Sequence, residues 1–419
     1  MTKSSICLIS SQHLSYNPRL LKEADALHEA GCSVRVVAMR LEPAKAAWDA
    51  RLMAGRSWKL ETVNAARDNI AGRLRWLIGA LQQRFAARGQ GLEAGGIRHY
   101  SAMCRLAARE KADLFIAHNL QALPVAAAAA QRWGAKLGFD AEDFHRGEIL
   151  EGDEQQRSRR EWIEALETKY IPRCDHLTAA SDGIGDAYAA CLGVRKPVTI
   201  LNVFPLAERC VGISAESLRE ERRGDGISLY WYSQVIGRDR GLDDALKALQ
   251  QIKGGARLHL RGHWANGYER DFRQHCRELG IEDRVHVLPP VPPEQLIERA
   301  AQHDIGLALE PGNRPNNAIA TSNKLLSCFI AGLAIAATDV PGQRVILKNT
   351  PDAGFLYTPG DVASLTKRLR AWIDEPQALR AAKASSLQLG VSRFCWDLEK
   401  EKLLRAVHDL LHEDIGIRS

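Results

Sequence analysis

Three ionisable side chains each follow a short apolar run that is typical of a buried strand. They are His118, Asp143 and Glu310. Because ligands of open α/β folds bind at the carboxyl ends of parallel strands, an imidazole or a carboxylate at these positions can contact a bound hydroxyl group or the reacting centre. Asp143 has a second interpretation, in which its carboxylate only caps the following helix.

The segment after the first predicted strand excludes two common nucleotide-binding motifs. Residues 10–19 read SSQHLSYNPR. They contain neither the Gly-x-Gly-x-x-Gly fingerprint of dinucleotide-binding folds nor a P-loop. The sequence therefore argues against a dehydrogenase and against a P-loop kinase.

Apolar runs alternate with amphipathic segments along most of the chain. Residues 6–10 predict a buried strand, and residues 19–30 have apolar side chains at helical spacing and end at Gly31. This alternation indicates βαβ units with parallel sheets. Further strands are predicted at residues 33–38, 114–117, 136–140, 176–179, 198–201, 227–232, 257–261, 284–288, 305–309 and 334–337.

The formal charge is concentrated in one stretch. The 419 residues carry 57 Lys and Arg against 51 Asp and Glu, a formal net charge of +6 at pH 7. Residues 51–90 contain eight basic and only two acidic side chains, which accounts for the whole excess. With its interleaved tryptophan and leucine, the stretch predicts a basic amphipathic insertion that binds an anionic membrane surface. The alternative is a solvated helical insertion packed on its domain, and neither favours binding to nucleic acid.

The nine cysteines are scattered, with no Cys-x-x-Cys pair. A disulfide framework or a zinc site needs closer and more regular spacing, so we expect buried thiols in a reducing compartment. The sequence shows no signal peptide and no run near the roughly 18 apolar residues of a membrane span. We therefore expect a cytoplasmic protein, held peripherally at the inner face of the membrane if residues 51–90 bind lipid.

Several motifs are specific together because of their order and spacing. They are SNKLLSCFIAGLAIAATD at 322–339, RGL at 240–242, GFLY at 354–357, AHN at 117–119 and FDAEDF at 139–144. These segments resemble motifs of the family 4-like retaining glycosyltransferases, the glycosyl transferases of group 1. The resemblance extends over nearly the whole chain apart from residues 40–100.

The resemblance implies the GT-B fold, in which two Rossmann-like α/β/α domains face each other across a cleft. We expect an acceptor-side domain at residues 1–204, a linker at 205–226, a donor domain at 227–395 and a C-terminal helix at 396–419 that returns to the first domain. The implied activity is transfer of a sugar, with retention of configuration, from a nucleotide sugar such as a UDP- or GDP-sugar to a glycan or lipid-linked acceptor. A role in bacterial surface polysaccharide or glycoconjugate assembly follows, with no metal ion and no cofactor.

The same resemblance implies roles for individual residues. The negative charge that grows on a nucleoside diphosphate leaving group has to be neutralised by cations and backbone N–H groups. His118 and Asp143 are expected near the acceptor, and Glu310, which the family motifs do not place, is expected to act on the donor sugar. The residues expected to bind the donor are Arg238, Arg240, Asn323, Lys324 and Ser327.

The sequence departs from the family at the donor site. Ser327 stands where the family has a Glu that binds the ribose hydroxyls, Ile319 stands where a second Glu is common, and Gln234 replaces an Arg. Because a hydroxyl lacks the two strong acceptor oxygens of a carboxylate, we expect weak or altered donor binding. One alternative is a non-catalytic GT-B scaffold or binding subunit of a glycan-assembly complex. Another is a nucleotide-sugar epimerase on the same fold.

Overall fold

The computed structural model describes residues 3–66, 99–150, 152–210, 212–219, 221–222 and 226–412, together with residues 73, 76, 77, 80, 92 and 93. The chain divides into two compact units. Met1–Ile200 and Lys400–Ser419 form the first unit, and Leu201–Glu399 forms the second.

The first unit is built on a parallel sheet. Among the described residues it has seven strands in the order β3-β2-β1-β4-β5-β6-β7. The strands are β1 Ser5–Ser10, β2 Ser33–Arg40, β3 Lys59–Asn64, β4 Leu114–His118, β5 Lys136–Ala141, β6 His176–Ala179 and β7 Val198–Thr199. The central strands β1, β4 and β5 are buried along nearly their whole length, because helices cover both faces of a parallel sheet.

Helices connect these strands. They are α1 Pro18–Glu29, α2 Pro43–Leu52, α3 Tyr100–Ala107, α4 Leu123–Trp133, α5 Arg157–Tyr170 and α6 Asp182–Leu192. α1 begins at Asn17, whose side chain accepts a hydrogen bond from the backbone N–H of Leu20, and Pro18 supplies a first helical residue that needs no N–H partner. The start of α1 is therefore fixed directly after the carboxyl end of β1.

The second unit repeats this design. Its described residues form six parallel strands in the order β10-β9-β8-β11-β12-β13. The strands are β8 Ile227–Ile236, β9 Ala256–Trp264, β10 Val285–Leu288, β11 Ile305–Ala308, β12 Ala334–Thr338 and β13 Gly354–Tyr357. This is the Rossmann order, in which the strand order reverses between β8 and β11, and ligands of such sheets bind outside the carboxyl ends at that point.

The helices of the second unit complete its two outer layers. They are α7 Ala215–Arg219, α8 Leu242–Gln251, α9 Tyr268–Glu278, α10 Leu296–Ala300, α11 Pro315–Ile319, α12 Asn323–Ala331, α13 Pro341–Leu347, α14 Val362–Asp374, α15 Pro376–Ser392 and α16 Trp396–His412. From Lys400 onward α16 belongs to the first unit, where Lys400 Nζ lies 3.2 Å from Glu29 Oε2. No helix in the described ranges combines the length and the apolar character needed to cross a membrane.

The segment expected to be a linker is anchored to the second unit by Glu221. This residue is only 4% exposed, and its carboxylate pairs with Arg261 of β9 and with Arg299 of α10. Because one buried carboxylate pairs with guanidinium groups on two other elements, this part of the segment is a folded component of the second unit.

The first part of the basic stretch is not an amphipathic helix. It includes the end of α2 and then the edge strand β3. Trp58 is buried and donates from Nε1 to Asp25 Oδ1 at 2.8 Å, and Arg56 pairs with the same carboxylate at 2.8 Å. The prediction of an amphipathic insertion therefore does not hold for residues 51–64. Residues 67–90, apart from 73, 76, 77 and 80, lie outside the described residues.

All nine cysteines are described, and all are free thiols. Burial raises the pKa of the Cys7 and Cys328 thiols to about 12. Cys191, in α6, and Cys210 are exposed, which corrects the expectation that the thiols are buried throughout.

Candidate functional site

Four polar side chains lie in one row across the carboxyl ends of strands in the first unit. Ser10 of β1 is in register with His118 of β4, His118 with Asp140 of β5, and Asp140 with Thr178 of β6. Register partners of a parallel sheet point to the same face, so these side chains meet at one edge of the sheet. The row is the framework of a charged cluster that α1 completes.

Asp140 is the centre of this cluster. Arg19 of α1 donates from Nε to Oδ2 at 2.5 Å and from Nη2 to Oδ1 at 2.8 Å, and the Thr178 hydroxyl also donates to Oδ1. Asp140 is fully buried and Arg19 nearly so. Burial opposes ionisation of Asp140, but the charge and hydrogen bonds of Arg19 hold the pKa of this carboxyl well below its usual range.

His118 is surrounded by carboxylates. Its Nε2 lies 3.1 Å from Glu23 Oε2, and its Nδ1 lies 3.5 Å from Asp140 Oδ2 and 3.6 Å from Glu142 Oε1. Burial opposes protonation of the ring, but the charge of Glu23 and the contacts with Glu142 and Asp140 outweigh it and raise the pKa of His118 to about 10. His118 is therefore an imidazolium at neutral pH, and an imidazolium does not accept a proton from a substrate.

Glu23, His118 and Asp140 also meet the distance requirement of a metal site, because one ligand atom of each lies within 4.8 Å of the others. Their arrangement does not suit a metal ion. Glu23 approaches Nε2 of the ring and Asp140 approaches Nδ1, so the two carboxylates do not converge on one nitrogen. Both oxygens of Asp140 also accept hydrogen bonds from Arg19. The arrangement fits a cationic ring better than a metal ion.

Asn119, directly after His118, has a strained backbone. Its φ is +91°, a region that residues other than glycine rarely adopt. The Asn119 side chain accepts a hydrogen bond from the Ser11 hydroxyl at 2.8 Å and donates to Ser10 Oγ at 3.2 Å. These bonds hold the strained turn against β1 and so fix the end of β4, where His118 lies.

Two acidic residues follow the buried part of β5. Glu142 accepts a hydrogen bond from Asn17 Nδ2 at 2.8 Å, and its side chain is 29% exposed, so it connects the His118 cluster with solvent. Asp143 is half-buried, and its backbone carbonyl accepts a hydrogen bond from the Tyr188 hydroxyl. The structure thus brings Glu142 to His118, and the expected acceptor contact of Asp143 stays a prediction.

Glu310, Ser322 and Lys324 form a second cluster, at the carboxyl end of β11 in the second unit. Lys324 Nζ lies 2.6 Å from Glu310 Oε1, and the Ser322 hydroxyl donates to the same oxygen at 2.8 Å. Burial opposes ionisation of Glu310, but Lys324 and the Ser322 hydrogen bond keep the pKa of this carboxyl below its usual value. Two residues expected from the sequence to act on the donor are therefore an ion pair.

α12 begins at this cluster. Ser322 Oγ accepts a hydrogen bond from the backbone N–H of Lys324 at 3.3 Å, so one hydroxyl both caps the helix and binds Glu310. Asn323 is the first helical residue, and its carbonyl accepts a hydrogen bond from the Tyr232 hydroxyl. The dipole of a helix N-terminus favours an anion, and the Glu310 carboxylate lies beside this one, bound by the Ser322 and Lys324 side chains.

Gly241 sets the course of the loop that carries Arg240. Its φ is +72°, and a Cβ at this position would lie 2.1 Å from the carbonyl oxygen of Leu309, so only glycine fits. The start of α8 therefore packs directly against the end of β11. Arg240 is exposed, and its positive charge contributes to the lowered pKa of Glu310.

Two other residues expected at the donor site already have partners within the second unit. Arg238 is largely exposed, lies 2.5 Å from Asp271 Oδ2 and stacks over the ring of Tyr268 at 5.4 Å. Ser327 is 2% exposed and donates to the carbonyl of Lys324 at 2.8 Å. The single hydroxyl proton of Ser327 is thus used within α12.

Two family models match the chain. The model of the glycosyl transferase 4-like domain matches residues 16–202, and the model of the glycosyl transferases group 1 matches residues 216–386. Together they span most of the chain. The chain belongs to the group 1 glycosyltransferases. The two matches confirm the family that the motifs predicted. A comparison of this glycosyltransferase with curated protein sequences found no match.

Solved structures resemble this glycosyltransferase along nearly its whole length. HepE from Anabaena, in complex with UDP and glucose, has a TM-score of 0.72 at 16% identity, covering 97% of this chain and 100% of HepE. Sucrose-phosphate synthase from Thermosynechococcus elongatus has a TM-score of 0.72 at 15% identity, with coverages of 97% and 99%. WaaG, a glycosyltransferase involved in lipopolysaccharide biosynthesis, has a TM-score of 0.60 at 15% identity, covering 98% of this chain and 99% of WaaG. At these identities the likeness shows the fold, and it confirms the predicted GT-B class.

Sequence reasoning named His118 in this glycosyltransferase but not the side chains that fix its charge. These are Glu23, Asp140 and Glu142, and Arg19 in turn pairs with Asp140. A signal was present, since a charged residue within an otherwise apolar and buried element needs a partner. The pairing itself was not predictable, because Arg19 and Asp140 are 121 residues apart in the sequence.

Proposed function

We propose that this glycosyltransferase transfers a sugar from a nucleotide-sugar donor to a glycan or lipid-linked acceptor, with retention of configuration and without a metal ion. We place the reaction in bacterial surface polysaccharide or glycoconjugate assembly. The observation that carries the proposal is the grouping of Lys324, Arg240 and the N-terminus of α12 at the carboxyl end of the second sheet. The UDP and glucose bound to HepE, and the lipopolysaccharide role of WaaG, support the donor class and the setting.

The proposed mechanism uses fixed cations in place of a metal ion. Lys324 and Arg240 neutralise the charge that grows on the leaving diphosphate as its bond to the anomeric carbon breaks. The leaving phosphate assists removal of the proton from the acceptor hydroxyl, which attacks on the same face, so configuration is retained. The mechanism needs no base from the protein, which agrees with the protonated state of His118.

On the acceptor side, the proposal gives His118 the role of a fixed positive charge. The carboxylates of Glu23 and Asp140 keep the ring protonated, so it does not take up a proton from the acceptor. The carboxylates of Asp143 and Glu142 are proposed to accept hydrogen bonds from acceptor hydroxyls. Glu310 is proposed to act on the donor side through Lys324.

A donor and acceptor screen tests the proposal. UDP-, GDP- and ADP-sugars are incubated with a panel of lipid-linked acceptors in the presence of EDTA, products are detected by mass spectrometry, and the anomeric configuration is read by NMR. With the active pair, Lys324→Ala is expected to lower kcat about 10²–10³-fold, the usual effect of removing one group that stabilises the transition state. Lys247→Ala, an exposed change on α8, is the matched control.

Three results would contradict parts of the proposal. Unchanged turnover in both Lys324→Ala and His118→Ala would remove the proposed site. A product with inverted anomeric configuration would contradict the retaining mechanism. Metal independence would be contradicted if EDTA abolished activity and a divalent ion restored it. Conversion of the donor without any acceptor would favour an epimerase.

A non-catalytic scaffold is the second candidate, and the environment of Ser327 favours it. The Ser327 hydroxyl is buried and donates within α12, so it offers no carboxylate to a ribose. Calorimetric titration with UDP-, GDP- and ADP-sugars separates the two candidates. Heat from any donor supports the enzyme, and the absence of heat from all of them supports the scaffold.

We also propose a peripheral position at an anionic membrane through the basic stretch beyond β3. Trp58, Arg56 and Lys59 are excluded from this role because they have partners in the first unit. Replacing Arg73, Arg75, Arg84 and Arg88 with Gln is expected to reduce co-sedimentation with phosphatidylglycerol vesicles, since each basic residue near such a surface contributes about 1 kcal/mol. Replacing the exposed Lys247, Lys253, Arg270 and Lys367 is the charge-matched control. Equal co-sedimentation of both variants would contradict the proposal.

A further inference from the structure

The Glu310 carboxylate is an anion bound within the second unit, next to the start of α12. Its Oε1 accepts one hydrogen bond from the Lys324 ammonium at 2.6 Å and one from the Ser322 hydroxyl at 2.8 Å, at the N-terminus of α12. Its backbone is fixed as well, because its carbonyl accepts a hydrogen bond from the Thr338 hydroxyl at 2.7 Å. The carboxylate is therefore bound by the side chains of the N-cap residue and of the second residue of α12.

The donors that Glu310 uses are those that a phosphate group would use. Lys324 supplies an ammonium group and Ser322 a hydroxyl, and both residues lie at the start of α12, whose dipole also favours an anion. The Glu310 and Lys324 side chains are only 16% and 13% exposed, so water screens their attraction less than it screens a surface pair. A ligand that approaches Lys324 meets a cation whose charge is already neutralised.

We propose that Glu310 is an intramolecular competitor of the donor diphosphate for Lys324, and that it lowers the affinity of the enzyme for nucleoside diphosphates. The inference rests on the proposed function, because it takes Lys324 as a ligand of the diphosphate. A phosphate oxygen must displace the carboxylate or share Lys324 with it, and both reduce the binding free energy. The same competition speeds release of the nucleoside diphosphate product, a step that limits many enzymes.

Isothermal titration of the full-length protein with UDP, GDP and ADP tests the inference. Glu310→Gln keeps the size of the side chain and its ability to accept a hydrogen bond from Ser322, but removes the charge that neutralises Lys324. We expect this variant to bind the nucleotide about tenfold more tightly than the wild type, the effect of one charge-assisted contact. Glu278→Gln, an exposed change on α9, removes the same charge from the same unit and is expected to leave the affinity unchanged.

Lys324 provides the specificity test. In the Lys324→Gln background, Glu310→Gln is expected to give no gain in nucleotide affinity, because the competition requires the ammonium group. If Glu310→Gln does not fold, Glu310→Asp replaces it, since the shorter side chain withdraws the carboxylate from Lys324. Glu310→Asp is then expected to bind the nucleotide more tightly than the wild type, but with less than the tenfold gain expected for Glu310→Gln.

The outcomes separate the inference from the proposed function. Wild-type binding with equal or weaker binding by the Glu310 variants would overturn the inference and leave the donor site in place. A gain in nucleotide affinity that persists in the Lys324→Gln background would overturn the inference as well. If neither the wild type nor any variant binds the three nucleotides, both the inference and the proposed function fail.

Discussion

Arg19 binds both carboxylate oxygens of Asp140, through Nε at 2.5 Å and Nη2 at 2.8 Å. Its remaining nitrogen, Nη1, donates to the carbonyl of Ile200 at 2.6 Å. One buried side chain thus joins the start of α1, the end of β5 and the segment after β7. The edge of the sheet that carries His118 depends on this contact.

Removing one partner of this pair is expected to destabilise the first unit strongly. Arg19→Met leaves the Asp140 carboxylate buried without the guanidinium that binds both of its oxygens, which costs about 3–5 kcal/mol of unfolding free energy. Asp140→Asn is expected to have a similar effect, and the double variant should cost less than the two single costs together, because the residues interact directly. Denaturant unfolding measures all three values. Strict additivity would contradict the coupling.

His118 is expected to make the first unit sensitive to alkaline pH. Its pKa is raised from the ordinary 6.5 to about 10 in the folded state, so between these values the folded state holds a proton that the unfolded state lacks. This stabilisation is complete below pH 6.5 and is lost as the pH rises through 10. Hydrogen exchange of β4, followed by mass spectrometry across this range, is expected to show increasing exposure.

Glu23→Gln tests the cause of this shift. Removing the Glu23 charge is expected to lower the pKa of His118 and to move the alkaline loss of protection to a lower pH. Glu164→Gln, an exposed change on α5, is the control for the lost charge. Identical pH profiles of Glu23→Gln and the wild type would show that Glu23 does not hold the proton on His118.

Glu221 is expected to be essential for the stability of the second unit. Glu221→Gln leaves Arg261, which is 3% exposed, with an uncompensated charge, and the expected cost is about 3–5 kcal/mol. Glu216→Gln alters an exposed acid on α7 in the same segment and is expected to change the free energy of unfolding by less than about 0.5 kcal/mol. Equal unfolding midpoints of the two variants would contradict the buried role of Glu221.

Gly241→Ala is expected to impair nucleotide binding as well as stability. The new Cβ would lie 2.1 Å from the Leu309 carbonyl oxygen, so the loop that carries Arg240 has to move. Gly254→Ala is the matched control, because Gly254 also has a positive φ of +92° but no atom within 4 Å of an added Cβ. Gly254→Ala should lower the free energy of unfolding only by the backbone cost of about 1–2 kcal/mol. Thermal unfolding and UDP titration compare the two, and equal losses in both would show that the close approach at Gly241 has no effect of its own.

The sequence predicted the central strands because their burial leaves an apolar run. It missed β3, whose sequence KLETVN carries charges that an edge strand exposes or pairs, as Lys59 pairs with Glu110. It predicted four residues for β7, of which only Val198–Thr199 form a ladder. Hydrophobic periodicity reports burial, and edge strands are only partly buried.

The candidate site was predicted as a set of residues and not as a set of contacts. Lys324 and Glu310 were expected in the second domain, but their mutual ion pair arises from the return of the chain from β11 to α12. The charge of His118 depends on Glu23, which lies on another element. Residue type and spacing therefore indicated the chemistry, and the fold determines the protonation states.

The two exposed cysteines have a practical consequence. Cys191 belongs to the first unit and Cys210 to the second, and the other seven thiols are buried or half-buried. Because thiol reagents attack accessible thiolates, maleimide probes should label these two positions first. The unmodified sequence thus offers one attachment point in each unit for a fluorophore or spin-label pair, with which the distance between the units can be followed as nucleotide sugars are added.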